Sequence, residues 1–253
     1  MIKRRNNFIV ILFFLFFSKA LAQERYVNMF LNISFSPTSI TISEFDPDIG
    51  KSTEETYTGT FHEGKPLSVF KCENGKELYV LKSSEILIIY DDEKLYPDWG
   101  VTRKKYRNAE LFILDSKISS TSFLTEPSFT YVASNLGDIR LDHPWCEGEN
   151  DDGKGVLIDM GSCGSGFLIS NGFVSKRHYL YNYNNRVKSI KLTDVNDPKF
   201  SKIIELQDKA EPQYIFIDEQ LGRHIIIEIL DTYPGSKWND TCINFIIKMF
   251  NKQ

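Results

Sequence analysis

The chain has 253 residues, with 30 lysines and arginines against 34 acids, a formal net charge of −4 and four cysteines. An acidic balance is poorly suited to holding nucleic acid or an anionic membrane surface through bulk electrostatics, so neither is expected as a partner. At 42% hydrophobic residues the chain has the composition of a folded globular protein, long enough for two modest domains.

Residues 1–22 read as a secretory signal peptide rather than as part of the fold. Lys3, Arg4 and Arg5 precede the uninterrupted apolar run Phe8–Phe17, and Ala20-Leu21-Ala22 is a small-x-small cleavage site. A run of this length is too short to span a bilayer, which takes about 20 residues. No later segment is apolar enough to cross one, so no membrane span is expected. The mature chain is expected to begin at Gln23 and to be secreted or periplasmic. Losing Lys3, Arg4, Arg5 and Lys19 moves the net charge from −4 to −8.

Helical periodicity is nearly absent and strand patterns are dense, so the fold class is all-β. Phe30–Phe35, Ser39–Ser43, Thr56–Phe61, Leu67–Lys71, Leu78–Leu81 and Ile86–Tyr90 are short runs of apolar and β-branched residues. Glu73-Asn74-Gly75-Lys76 and Asp91-Asp92-Glu93 suit hairpin turns between them. Residues 23–96 are therefore expected to form an antiparallel meander curled into a small barrel or sandwich, loosely lipocalin-like. Residues 97–127, with Pro97, Gly100, the solvated basic run Arg103-Lys104-Lys105 and a polar stretch, read as a connection between domains.

Strand patterns resume in residues 128–253: Val156–Met160, Gly166–Ile169, Arg186–Leu192, Tyr214–Asp218, His224–Leu230 and Cys242–Phe250, while Lys199–Leu206 fits a strand or a short turn of helix, with strand preferred. They point to an antiparallel sandwich. Asn171-Gly172 reads as a type I′ hairpin turn. The glycine- and serine-rich stretch Gly161–Gly166 reads as a hairpin loop rather than a nucleophile turn. Tyr179, Tyr181 and Tyr183 alternate as on a strand face, either as an exposed platform or lining the sheet interface.

Cys72, Cys146, Cys163 and Cys242 allow three full pairings, and sequence alone does not choose among them. A single bridge would join Cys146 to Cys242, which both flank turn motifs of the second half. Buried unpaired thiols are the alternative. The cysteine and histidine spacings disfavour zinc. No G-x-S-x-G, H-E-x-x-H or glycine-rich phosphate loop occurs, so a non-catalytic protein is expected.

Residues 145–155 form an acidic, glycine-hinged turn that opens on a tryptophan and leads into a strand. Trp145 either stacks on a sugar or packs into the core with its N–H bonded. Glu147 either accepts from sugar hydroxyls or caps backbone N–H groups of its own turn. Glu149, Asp151 and Asp152 form either a structural calcium loop or a solvated acidic loop. Arg186 either pairs with an acid such as Asp159 or Asp231 or reaches a sugar hydroxyl.

Several motifs of the second half, taken in order, resemble one family. They are Asn135-Leu136 with Asp138, His143-Pro144-Trp145-Cys146-Glu147-Gly148, Asp152-Gly153-Lys154-Gly155 and Asn171-Gly172-Phe173. Asn185-Arg186-Val187-Lys188 follows, then Asp231-x-Tyr233-Pro234-Gly235 and Asp240-Thr241-Cys242-Ile243. The segment, about residues 129–250, is similar to the NADase-type glycan-binding (NAD glycohydrolase translocation) domain. That is a discoidin-like variant of the galactose-binding-like jelly roll, related to coagulation factor V/VIII type C modules. Asn244-Phe245 and Val156-Leu157 depart from its usual acidic and aromatic residues. The resemblance leaves no room for an NAD glycohydrolase catalytic domain.

What the resemblance implies is a bacterial, exported protein that binds carbohydrate at a cell or envelope surface through rim loops carrying Trp145, Glu147, Tyr181, Asn184 and Arg186. The other expectation is a scaffold that contacts a protein partner, with a small apolar ligand in the N-terminal barrel. The sequons at Asn32 and Asn239 would be silent in a bacterium.

Overall fold

The computed structural model describes residues 24–27, 31–46, 48–83, 86–91, 97–104, 111–113, 117–148, 152–218 and 222–250. The expected signal peptide lies outside the described residues.

The first half is an antiparallel meander of β1 (Glu24–Val27), β2 (Leu31–Phe35), β3 (Ser39–Asp46), β4 (Lys51–His62), β5 (Ser68–Cys72), β6 (Glu77–Lys82), β7 (Ile86–Asp91) and β8 (Pro97–Lys104). Each strand pairs with the next, and β1 pairs with β8 (Tyr26↔Lys104, Val27↔Arg103), which closes the barrel. A barrel of about eight strands has an interior that side chains just fill. Here Ile33, Phe35, Ile40, Ile42, Phe70, Leu78, Val80, Leu87 and Ile89 fill it.

The second half is a jelly-roll sandwich. Its elements are β9 (Leu111–Ile113), β10 (Ser119–Ser120), β11 (Thr125–Glu126), β12 (Phe129–Thr130), a 3-10 turn (Ala133–Gly137), β13 (Trp145–Cys146), β14 (Leu157–Cys163), β15 (Gly166–Asn171), helix α1 (Tyr179–Tyr183), β16 (Asn185–Asp194), β17 (Asp197–Glu205), β18 (Gln213–Phe216), β19 (Arg223–Tyr233) and β20 (Thr241–Phe250). The strand order is β10-β14-β19-β16-β20-β15-β18, with β17 on β16 and both β9 and β13 on β20. Alternate residues of β19, Ile225, Ile227 and Ile229, meet Phe167, Ile169, Ile190 and Ile246 in the sandwich core.

Four expectations are corrected. The segment 97–127 is no mere connection: β8 closes the barrel, while β9 and β10 join the sandwich. Arg103 and Lys104 therefore lie on a strand, and Lys105 is outside the described residues. Gly161–Gly166 and Asn171-Gly172 are not hairpins, because β15 pairs with β18 and β20 rather than with β14 or β16. Tyr179, Tyr181 and Tyr183 sit on one helical turn, which puts Tyr179 and Tyr183 on the same side and Tyr181 opposite.

The two halves share an apolar layer. In β7, Leu87 and Ile89 point into the barrel, while Ile86, Ile88 and Tyr90 point out of it. Those outer side chains, with Leu67 and Leu81, pack on Leu168, Val174, Phe245, Ile247 and Met249 of the sandwich. Tyr90 Oη donates to the Ile139 carbonyl at 2.7 Å across this layer. Both faces of β7 and of β20 are thus covered, which explains why their sequences run apolar without strict alternation. Replacing Ile88 by alanine is expected to lower the unfolding free energy by about 2–5 kcal/mol. Urea denaturation measures this, and an unchanged midpoint would show that the barrel does not rest on the sandwich.

Candidate functional site

One end of the sandwich gathers four segments: residues 121–131, residues 147–148 with 152–156, residues 172–184 with α1, and the loop 234–240. They meet there because β15 and β19 end, and β16 and β20 begin, at that end.

Asparagine side chains take over where the strand ladder stops. Asn171, fully buried, donates Nδ2–H to Val187 O at 2.7 Å and accepts from Val187 N–H at 3.0 Å, pairing with β16 as a strand residue would. Gly172 follows with φ +82°, and a Cβ there would lie 2.6 Å from the Tyr181 ring, so glycine is required on both counts. Asn185 donates to Asn239 O (2.7 Å) and accepts from Gly235 N–H (2.6 Å), which fixes the loop 234–240 on β16. Ser236 N–H bonds to Asn182 O and Trp238 N–H to Tyr183 O, both at 2.9 Å, satisfying the free carbonyls at the end of α1. A Cβ on Gly235 would sit 2.2 Å from Tyr183 O, so only glycine allows this close approach.

The result is an aromatic cluster on the rim. Tyr179 and Tyr183 lie 5.2 Å apart between ring centroids, and Tyr183 meets Trp238 edge-on at 5.3 Å. The Lys237 ammonium lies 4.6 Å from the Trp238 centroid and 5.2 Å from that of Tyr183. Tyr179 is 47% exposed. Asn182, Ser236, Lys237 and Asn239 are exposed beside it. Beneath Trp238 lie Leu124, Tyr131, Phe173 and Leu180, together with the Cys146–Cys242 disulfide, which joins β13 to β20. Cys72 and Cys163 are free and buried. At the edge of this cluster Glu126 accepts from Tyr131 Oη at 3.2 Å. Burial, then the Glu126 carboxylate, push the Tyr131 phenol up to about 12, and burial with Glu126 also raises Asp240.

Most residues singled out in the sequence hold this rim from within. Trp145 is fully buried in the sandwich core, and its Nε1–H is shared between Ser120 Oγ and the Ser122 carbonyl, both at 3.0 Å. It offers no face to a sugar. Glu147 is fully buried below Gly153 and Thr241. Asn184 is buried and donates to Leu180 O at 2.8 Å. Tyr181 is buried against the barrel. Arg186 makes a two-pronged ion pair with Asp208, each N···O 2.9 Å, and stacks over Tyr181. Its partner is thus neither Asp159, which bonds to His224, nor Asp231. The hydrogen bond from Lys188 holds the Asp231 carboxyl down at about 2. The rim aromatics, Tyr179 exposed and Tyr183 and Trp238 half-buried, were legible only as a Tyr-x-x-x-Tyr spacing and as a tryptophan in the loop ahead of Cys242.

The Asp152 carboxylate is taken by Lys154 Nζ at 2.7 Å, while Glu149 and Asp151 lie outside the described residues. Among the described residues no three His, Cys, Asp or Glu side chains converge as metal ligands. No helix among them is long and apolar enough to cross a membrane.

The second half is thus a β-sandwich whose end loops carry aromatic and amide side chains. Residues 106–249, more than half of the chain, match the family described as NAD glycohydrolase translocation F5/8 type C domain, and the protein belongs to that family. No curated protein matches the chain. Among solved structures it is similar to a "SusE-like protein BT2857" at 10% identity, with a TM-score of 0.39 over 87% of this chain and 96% of that one.

Two expectations follow for the rim. Opening the Cys146–Cys242 bridge, which spans a sequence separation of 96, should lower stability by about 2–5 kcal/mol. Thermal denaturation with and without reductant checks this. The Arg186 hydrogen bonds hold the Asp208 carboxyl below its ordinary range. Its contribution to stability is therefore present above the unfolded value of about 4 and is lost as pH falls through the folded one. Asp208→Asn should be less stable than the parent at pH 7, and the gap should close below about pH 4 in a series of thermal midpoints.

Proposed function

We propose that this is an exported, non-catalytic protein that binds carbohydrate at a cell or envelope surface through the Tyr179–Tyr183–Trp238 rim. The observation that carries this reading is the aromatic cluster, with Tyr179 exposed and Tyr183 and Trp238 half-buried, and with Lys237, Asn182, Ser236 and Asn239 around it. Aromatic faces accept the apolar C–H face of a pyranose, and amide, hydroxyl and ammonium groups bond its hydroxyls. The cluster is anchored from behind by a disulfide and by hydrogen bonds to helix carbonyls, so little order has to be gained on binding. Membership of the F5/8 type C family supports the same reading.

A protein partner is the second reading. It is favoured by Ile203, Tyr214 and Phe216, exposed on β17 and β18. These strands lie outside the four rim segments.

A glycan array probed with the full chain, with and without calcium, tests the first reading. Binding to at least one glycan is expected. Tyr179→Ala should weaken it about tenfold, the loss of a stacking contact of roughly 1.5 kcal/mol. Ile49→Ser, on the barrel, should leave it unchanged. Absence of binding in both conditions, or binding indifferent to Tyr179, would overturn the proposal.

A further inference from the structure

A cleft of about 390 Å³ opens where the barrel mouth meets the sandwich. Its floor is Phe61, Pro66 and Val80. Val80 belongs to the barrel's inner core and Phe61 packs against that core, so the cleft is the outward end of the barrel interior. Glu63, Lys65 and Lys82 of the barrel rim it, and Glu211 of the sandwich closes it. The Lys82 ammonium sits 4.7 Å over the Phe35 ring.

Glu211 is held in place by its neighbours. Asp208 is clamped by Arg186, and the Ala210 carbonyl accepts from Ser170 Oγ at 2.8 Å. Its Oε2 is buried and has no hydrogen-bond partner. A carboxylate oxygen removed from water without a donor is costly, and Glu211 lines the cleft, so an ammonium entering there meets a carboxylate that its protein neighbours leave incompletely satisfied. The lining carries two carboxylates and two ammoniums. A ligand of one charge sign is attracted by one pair and repelled by the other. A ligand with both signs satisfies both pairs, and an apolar side chain can rest on the floor. The volume suits a small molecule.

We propose that this cleft is a second binding site, distinct from the rim, for small zwitterions bearing an ammonium and a carboxylate: free amino acids or short peptides. The ammonium meets Glu211 and Glu63, and the carboxylate meets Lys82 and Lys65. Titration calorimetry of the full chain with L-phenylalanine, L-leucine and glycyl-L-phenylalanine tests it. N-acetyl-L-phenylalanine, L-phenylalaninamide and D-galactose serve as comparators. At least one zwitterion should bind with Kd below about 1 mM, and whether the amino acid or the dipeptide binds tighter identifies the source. Each blocked form should bind about tenfold more weakly than free phenylalanine, and Glu211→Gln should weaken the best zwitterion by about the same factor. Lys65→Gln, an exposed change that does not threaten folding, should weaken it too. The proposal is overturned if no zwitterion binds below about 10 mM, if blocked forms bind as well as free ones, if neither variant alters affinity, or if galactose alone binds.

Discussion

Strand β20 is buried on both faces, and the architecture depends on that fact. Residues Thr241 to Met249 are all inaccessible, including Asn244 and Lys248. Ile243 and Ile246 face the sandwich core, while Phe245, Ile247 and Met249 face the barrel. The same strand pairs with β15, β13 and β9 and, in parallel over two residues, with β16. Each pairing satisfies backbone groups that burial would otherwise leave costly. Asn244, fully buried in this strand, donates its amide N–H to Ser170 Oγ at 3.2 Å. An acid at 245 would face the apolar layer, and here that place is filled by Phe245.

The rim rests on the same frame. Three asparagines, Asn171, Asn184 and Asn185, carry the chain out of the sheet by bonding backbone groups of neighbouring segments. Arg186 extends this inward, binding Asp208 on one side and the carbonyls of Asn184 and Pro234 on the other. The family's most recognisable residues thus shape the loops, and the exposed chemistry falls to their neighbours. Helix α1 divides the two tasks across a single turn, with Tyr181 turned to the barrel and Tyr179 and Tyr183 turned to the rim.

Much of the fold was legible because strand patterning is local. The six expected strands of the first half coincide with β2 to β7 to within a few residues at most ends, apart from a longer β3 and β4, and those of the second half with β14 to β20. The barrel's closure was less visible, since β1 and β8 lie far apart in sequence and meet through backbone pairing alone. Pairing at a distance also hid the nature of Asn171-Gly172, whose local pattern fits a hairpin. The candidate site was legible in its framework and not in its contact residues. Trp145 and Glu147 belong to a strong motif, but a motif does not say which side of a strand or turn faces water. Tyr179 and Tyr183 fit a strand period as well as a helical one, and Trp238 lies between motifs.

The layer between barrel and sandwich bears on how the molecule can be divided. A fragment cut at the start of the family match would uncover Leu168, Val174, Phe245, Ile247 and Met249 together. A contiguous greasy face of that kind on a free fragment invites self-association and precipitation. The sandwich half is therefore not a portable cassette. Transplanting it onto another carrier would demand repainting that face with polar residues or supplying a substitute cover.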